Sequence, residues 1–201
     1  AAKFVASGRL RLQSSRDIIG VWRMRGFRVF CWLATASAGA FADDHQPRNY
    51  LEYSDIFASA GQPTEDHLNE IIGDGVERIV YVAYSDHKGS LEHEDRIVSD
   101  LGAEFIQIPV RWDSPRPGDY TLFAAVMRAD PEKPTLLHCQ ANYRASAFAM
   151  LYRVIELGVP VADAKSDMNS VWTPNETWTD YILATLESAD IDPYCEGCDW
   201  T

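Results

Sequence analysis

The stretch Leu136-Leu137-His138-Cys139-Gln140-Ala141-Asn142-Tyr143-Arg144-Ala145-Ser146 constrains the fold more than any other part of the chain. It passes from a short apolar strand through a tight loop straight into a helix, with a cysteine at the strand end and an arginine five positions on. Such a loop is a layout for holding an anion. Successive backbone N–H groups can converge on one oxyanion while the new helix adds its positive end, which also biases Cys139 toward thiolate. Taken singly, Cys139 reads equally well as an inert apolar residue closing a buried strand, and His138 as a strand-end histidine bonded to a carbonyl. Arg144 and Ser146 weigh the other way, because a purely structural helix start would sooner carry an acid against the dipole.

The stretch resembles the signature of cysteine-dependent phosphatases of the tyrosine and dual-specificity type, His-Cys-x-x-Gly-x-x-Arg-Ser/Thr. It is more closely similar to small bacterial phosphatase-like proteins of a family of unknown function, some fused to β-lactamase-like hydrolases. The resemblance runs from Gly61-Gln62-Pro63 to Trp178, and its specific parts are the His-Cys loop and Val171-Trp172-Thr173-Pro174-Asn175. It implies a three-layer α/β fold and metal-independent chemistry with no cofactor. Cys139 would be the nucleophile, and Ser146 would ease departure of the thiolate. The N–H groups of Gln140, Ala141, Asn142, Tyr143 and Ala145, together with Arg144 and the neighbouring His138, would hold the phosphoryl group.

One departure from the signature leaves two readings open. The signature has five residues between cysteine and arginine; Cys139 and Arg144 have four. Ser146 keeps its place, so the loop can retain its length with the arginine moved forward. Asn142 then holds the glycine position, where positive φ is needed and Asn is tolerated. Alternatively the loop is one residue shorter, as in rhodanese-like sulfurtransferases, and cradles a Cys139 persulfide. A third reading is an inactive anion-binding module, which the displaced arginine favours because phosphoryl chemistry needs bidentate guanidinium geometry.

The chain does not open on its folded domain. Met24-Arg25-Gly26-Phe27-Arg28 is a basic stub, Val29 to Ala40 is apolar and small, and Ala40-Phe41-Ala42 is a small-x-small cleavage site before Asp43-Asp44. Residues 1–42 therefore read as upstream sequence plus a signal peptide starting at Met24, with Cys31 inside it and no lipid anchor. An exported, periplasmic or extracellular, protein follows, without stable membrane insertion once the leader is cleaved. The formal charge is -12 overall; the leader holds seven basic residues and one acid, leaving 11 basic against 29 acidic side chains after cleavage. Such a surface repels nucleic acid and anionic lipid, so an anionic substrate must be caught by local positive groups.

Residues 43–190 read as one domain. Tyr50 to Ala58 suggests an edge strand, Thr64 caps a helix with Leu68, Ile71 and Ile72 inward, and Arg78 to Ala83 is a strand covered on both faces. Ser90 caps the next helix, Phe105 to Val110 is a strand, Asp119 caps a helix through Ala129, and Thr135 to Cys139 is the last strand. Ala147, Met150, Leu151, Val154 and Ile155 are the stripe of a long helix, Ala162 to Val171 is a shorter one, and Thr173-Pro174-Asn175-Glu176 reads as a capping box. This alternation predicts a mainly parallel sheet flanked by helices, with ligands at the carboxyl ends of its strands.

Arg111-Trp112-Asp113-Ser114-Pro115-Arg116-Pro117-Gly118 leaves one such end and should share a rim with Cys139. As the resemblance implies, Asp113 stands where dual-specificity phosphatases carry their general acid; the alternative is a turn made with Ser114-Pro115. Arg111 and Arg116 can catch a substrate anion or remain solvated. Residues 191–201 form a tail whose Cys195 and Cys198 suit a local disulfide better than a metal site. The expected partner is a phosphorylated small molecule or protein; the sequence does not set the oligomeric state.

Overall fold

A sheet with strand order β1-β2-β5-β3-β4 organises the described part of the chain. The computed structural model describes residues 46–196 and 198–200; the expected leader, its start at Met24, Cys31 and the cleavage site at Ala42 lie outside them. The strands are β1 (Leu51–Ser54), β2 (Phe57–Ala60), β3 (Arg78–Tyr81), β4 (Glu104–Gln107) and β5 (Thr135–His138). The helices are α1 (Glu65–Gly73), α2 (Glu94–Asp100), α3 (Pro117–Ala129), α4 (Tyr143–Ile155), α5 (Val161–Val171) and α6 (Glu176–Ser188). β2, β5, β3 and β4 are parallel, and β1 pairs antiparallel with β2. The expected single edge strand is thus a hairpin, because Asp55 and Ile56 turn the chain and send β2 inward to lie beside β5.

Both faces of the sheet are covered, as the apolar runs require. Ala58, Ala60, Ile79 and Leu136 face one core with Leu68 of α1 and Val98 of α2. Phe57, Val80 and Leu137 face the other, with Phe123 of α3, Phe148 of α4, Met168 of α5 and Trp178 of α6. α4 lies between the sheet and its neighbouring helices, and its buried surface is wider than the expected stripe, taking in Phe148, Ala149 and Tyr152. Arg78 is buried at the foot of β3, where its guanidinium donates to Thr135 Oγ1 (2.9 Å) and to the carbonyls of Val126 (3.0 Å) and Asp130 (3.1 Å), closing the end of α3.

Several expected boundaries move for local reasons. Thr64 caps α1, but the reciprocal partner is His67, whose Nδ1 accepts the Thr64 N–H. α2 starts at Glu94 rather than after Ser90, because the Ser90 hydroxyl is engaged by Tyr81 and the Tyr84 carbonyl. β4 stops before Pro109, which has no N–H to continue the ladder. α3 begins at Pro117; Asp119 sits in its first turn and accepts the Arg116 N–H (2.9 Å) instead of capping the helix itself. α6 is capped by Asn175, whose Oδ1 accepts from Trp178 N, so the expected box at Thr173 is absent. Cys195 and Cys198 are joined by a disulfide, as expected of the tail. Among the described residues no helix is long and apolar enough to cross a membrane.

Trp178 is wholly buried and its Nε1 donates to the Trp112 carbonyl (2.9 Å), tying α6 to the segment that follows β4. Trp178→Ala is expected to cost about 3–5 kcal/mol of stability, measured by urea unfolding, and to loosen the Arg111–Asp113 segment.

Candidate active site

The cysteine loop is shaped by what its carbonyl oxygens bond to. Cys139 N donates to Ala60 O (3.3 Å), which keeps the loop in line with β2, and Gln62 N takes Gln140 O (3.2 Å) while Asn49 Nδ2 takes Ala141 O (3.0 Å). Gly61 permits this approach: a Cβ there would lie 2.9 Å from Arg48 O and 3.2 Å from Gln140 O. Asn142 adopts φ 66°, the left-handed conformation expected of it, and donates to Asn49 O (2.6 Å) from its fully buried side chain. α4 begins at the next residue, where a helix leaves its first N–H groups without carbonyls of its own.

A cleft of about 950 Å³ opens over this loop. Cys139, a free thiol that is 1% exposed, lines it together with Gln140, Ala141, Tyr143 and Arg144. One wall is Arg111, Trp112 and Asp113; the other is Tyr84, Asp86, His87 and Lys88. The strand-end rule therefore holds for three neighbouring strand ends at once. Lys88, Arg111 and Arg144 bring cationic side chains to this rim of an otherwise acidic chain, as local capture of an anion requires.

Arg144 reaches the cleft despite standing one place forward. It is 9% exposed, its Nη1 donates to Val110 O (2.8 Å), its Nη2 donates to Gln140 Oε1, and its buried Nε has no hydrogen-bond partner. Gln140 Nε2 in turn donates to Tyr81 Oη (2.6 Å). A buried cationic N–H without an acceptor is costly to leave so. Arg144 lines the same cleft as the Cys139 thiol, in the first turn of α4.

Asp113 lies on the rim and is fully solvated. Arg111 grips it through Nε (3.2 Å) and Nη2 (3.3 Å), and this holds its carboxyl below the usual carboxylate range, with the Ser114 hydroxyl adding to the effect. Such an exposed pair is weak, and salt or a competing anion breaks it readily.

Three expected site residues have other partners. His138 is wholly buried, stacked on Tyr81 at 4.6 Å, with Nε2 3.2 Å from Glu94 Oε1; it does not line the cleft. Ser146 does not line it either: its hydroxyl donates to Tyr143 O (3.1 Å) and accepts from Trp172 Nε1 (3.1 Å), so it holds the aromatic wall rather than facing the sulfur. Arg116 is taken by Asp119 (2.9 Å) and lies off the cleft. Ala145 is wholly buried and can contribute only its backbone N–H. Conversely, Tyr84, Asp86, His87 and Lys88 were not foreseen, although the end of β3 pointed to them. Trp172 stacks on Tyr143 (4.9 Å, 13°), which lines the cleft. Among the described residues, no group of three or more His, Cys, Asp or Glu side chains is placed to hold a metal ion.

A mainly parallel sheet ending in a cysteine, a loop leading into a helix N-terminus and a buried arginine give a cysteine-phosphatase-like fold. Within that class, the chain is similar to a DUF442 protein from Shewanella putrefaciens CN-32 described as a candidate phosphatase, at 27% identity and TM-score 0.65, over 71% of this chain and 91% of that one. TpbA of P. aeruginosa shares the fold at 17% identity and TM-score 0.58, over 71% and 88% of the two chains. So does the catalytic core of the PP-IP phosphatase SIW14 of S. cerevisiae, at 11% identity and TM-score 0.58, over 68% and 84%. No family model and no curated protein matches the sequence.

Removing the arginine beside Asp113 tests the electrostatics. In Arg111→Gln, the Asp113 carboxyl is expected to titrate at higher pH, toward its ordinary value of 3.8, as followed by carboxyl carbon NMR. An unchanged titration would show that the pair does not persist in solution.

Proposed function

We propose that this protein is an exported, cysteine-dependent hydrolase of phosphomonoesters, borne by a small molecule or a protein, acting through a phosphocysteine intermediate. The observation that carries the proposal is Arg144, whose buried Nε has no hydrogen-bond partner and which lines the same cleft as Cys139 at the N-terminus of α4. An oxyanion held there accepts from the arginine and from the N–H groups between Gln140 and Ala145. The Cys139 thiolate attacks phosphorus, the ester P–O bond breaks, and the leaving oxygen takes a proton from Asp113. Water, deprotonated by the same carboxylate, then attacks phosphorus; the P–S bond breaks, phosphate leaves and the thiolate returns. Arg111 keeps Asp113 ionised while the site is empty, which suits the second step. For the first step Asp113 must carry a proton, and an anion arriving on Arg111 weakens the pairing that opposes its protonation. The similarity to a DUF442 candidate phosphatase supports the same reading.

The test is hydrolysis of an aryl phosphate beside transfer of sulfur from thiosulfate to cyanide, each with wild type, Cys139→Ser and Asp113→Asn. Phosphate release should vanish in Cys139→Ser and fall about 10²-fold or more in Asp113→Asn. Sulfur transfer that needs Cys139 and ignores Asp113 would overturn the proposal in favour of a persulfide carrier.

A further inference from the structure

Arg144 has a long side chain whose planar fork recognises an anion only when its orientation is set. Two acceptors set it. Val110 O takes Nη1 at 2.8 Å, and Gln140 Oε1 takes Nη2. The Val110 acceptor is backbone, fixed beyond β4. The other is a side chain from the cysteine loop itself, and it needs support of its own.

Gln140 has that support. Its carbonyl is held by Gln62 N at 3.2 Å, and its Nε2 donates to Tyr81 Oη at 2.6 Å, with Tyr84 O at 3.4 Å. Tyr81 is itself 1% exposed and donates to Tyr84 O at 2.9 Å. An amide can serve both ends here because it accepts with one atom and donates with the other. A carboxylate at the same place would accept from Arg144 yet meet Tyr81 without a proton to give, and it would put negative charge into the anion cradle. With both Nη atoms engaged by the protein, Nε and the remaining N–H groups are left for a ligand, and Nε is the atom without a partner.

We infer that the Gln140 side chain is the positioning residue for Arg144, and that through Tyr81 it links the anion cradle to the Tyr84–Ser90 loop. This rests on the reading of the site as an oxyanion cradle, and it assigns the side chain a role distinct from that of the Gln140 backbone N–H. The role is exerted through the guanidinium. Gln140 is not required to touch the substrate.

The experiment is a double-mutant cycle on binding of inorganic phosphate, measured by calorimetry on the full chain for wild type, Gln140→Met, Arg144→Lys and the double variant. Thermal unfolding of each confirms that it is folded, and Gln140→Ala serves as the second truncation should Gln140→Met not fold. With the arginine present, Gln140→Met is expected to weaken phosphate binding about tenfold or more, as for loss of a hydrogen bond to a charged group. In the Arg144→Lys background the same truncation should weaken binding by less than about twofold. The Arg144 Nε–H resonance, sharp in wild type with phosphate, should broaden in Gln140→Met. Equal weakening in both backgrounds, with the resonance unchanged, would overturn the positioning role and leave the cradle standing. A wild type that binds no phosphate would overturn the cradle, and this role with it.

Discussion

Two carbonyl oxygens next to Cys139, those of Gln140 and Ala141, are bonded to Gln62 N and Asn49 Nδ2, and most of the site follows from that arrangement. A loop of this length cannot gather its N–H groups on one point unless its carbonyls are satisfied elsewhere. Gly61 brings the partner segment close enough, since a side chain there would collide with the loop and with Arg48. Asn142 then turns the chain through a positive φ so that α4 starts at once, with its first N–H groups unused by the helix. The anion preference proposed for the site would therefore arise largely from backbone dipoles, and it would need no high positive charge on the chain as a whole.

The parallel register β2–β5–β3–β4 turns this loop into a cleft. Strands that share a direction end on the same edge, so the segments after β3 and β4 form the walls on either side of the cysteine loop after β5. The walls are held differently. Trp112 is packed between Tyr143, Trp172 and Trp178 and fastened through its carbonyl, whereas Asp113 beside it is solvated and tied only to Arg111 and Ser114. A packed aromatic wall thus carries a solvent-exposed carboxylate, and the Tyr84 carbonyl fastens the opposite wall to Tyr81 and Gln140.

Much of the fold was legible because its signals are local or periodic. The β-branched run at Arg78–Tyr81 is covered on both faces, Thr64 caps α1, and Asn142 takes the strained conformation its place in the loop demanded. The hairpin was not legible, since Asp55 alone marks its turn. Nor was the late start of α2, where a serine that looks like a cap bonds to another strand's tyrosine. In the site, Cys139, Arg144, Arg111 and Asp113 meet at one cleft as their placement at strand ends and helix start implied.

By itself, then, the sequence determined the strand-loop-helix unit, the cysteine at its bend and the parallel sheet beneath it, because neighbour-to-neighbour geometry and hydrophobic period are written in the residues that obey them. Only the tertiary structure decided what each polar side chain would bond to. Ser146 went to Trp172, Arg116 to Asp119 and Gln140 to Arg144, while His138 came to lie 3.2 Å from Glu94 and stacked on Tyr81. A polar side chain carries the capacity for a hydrogen bond but not its direction. Which donor meets which acceptor is settled only when packing brings the elements together.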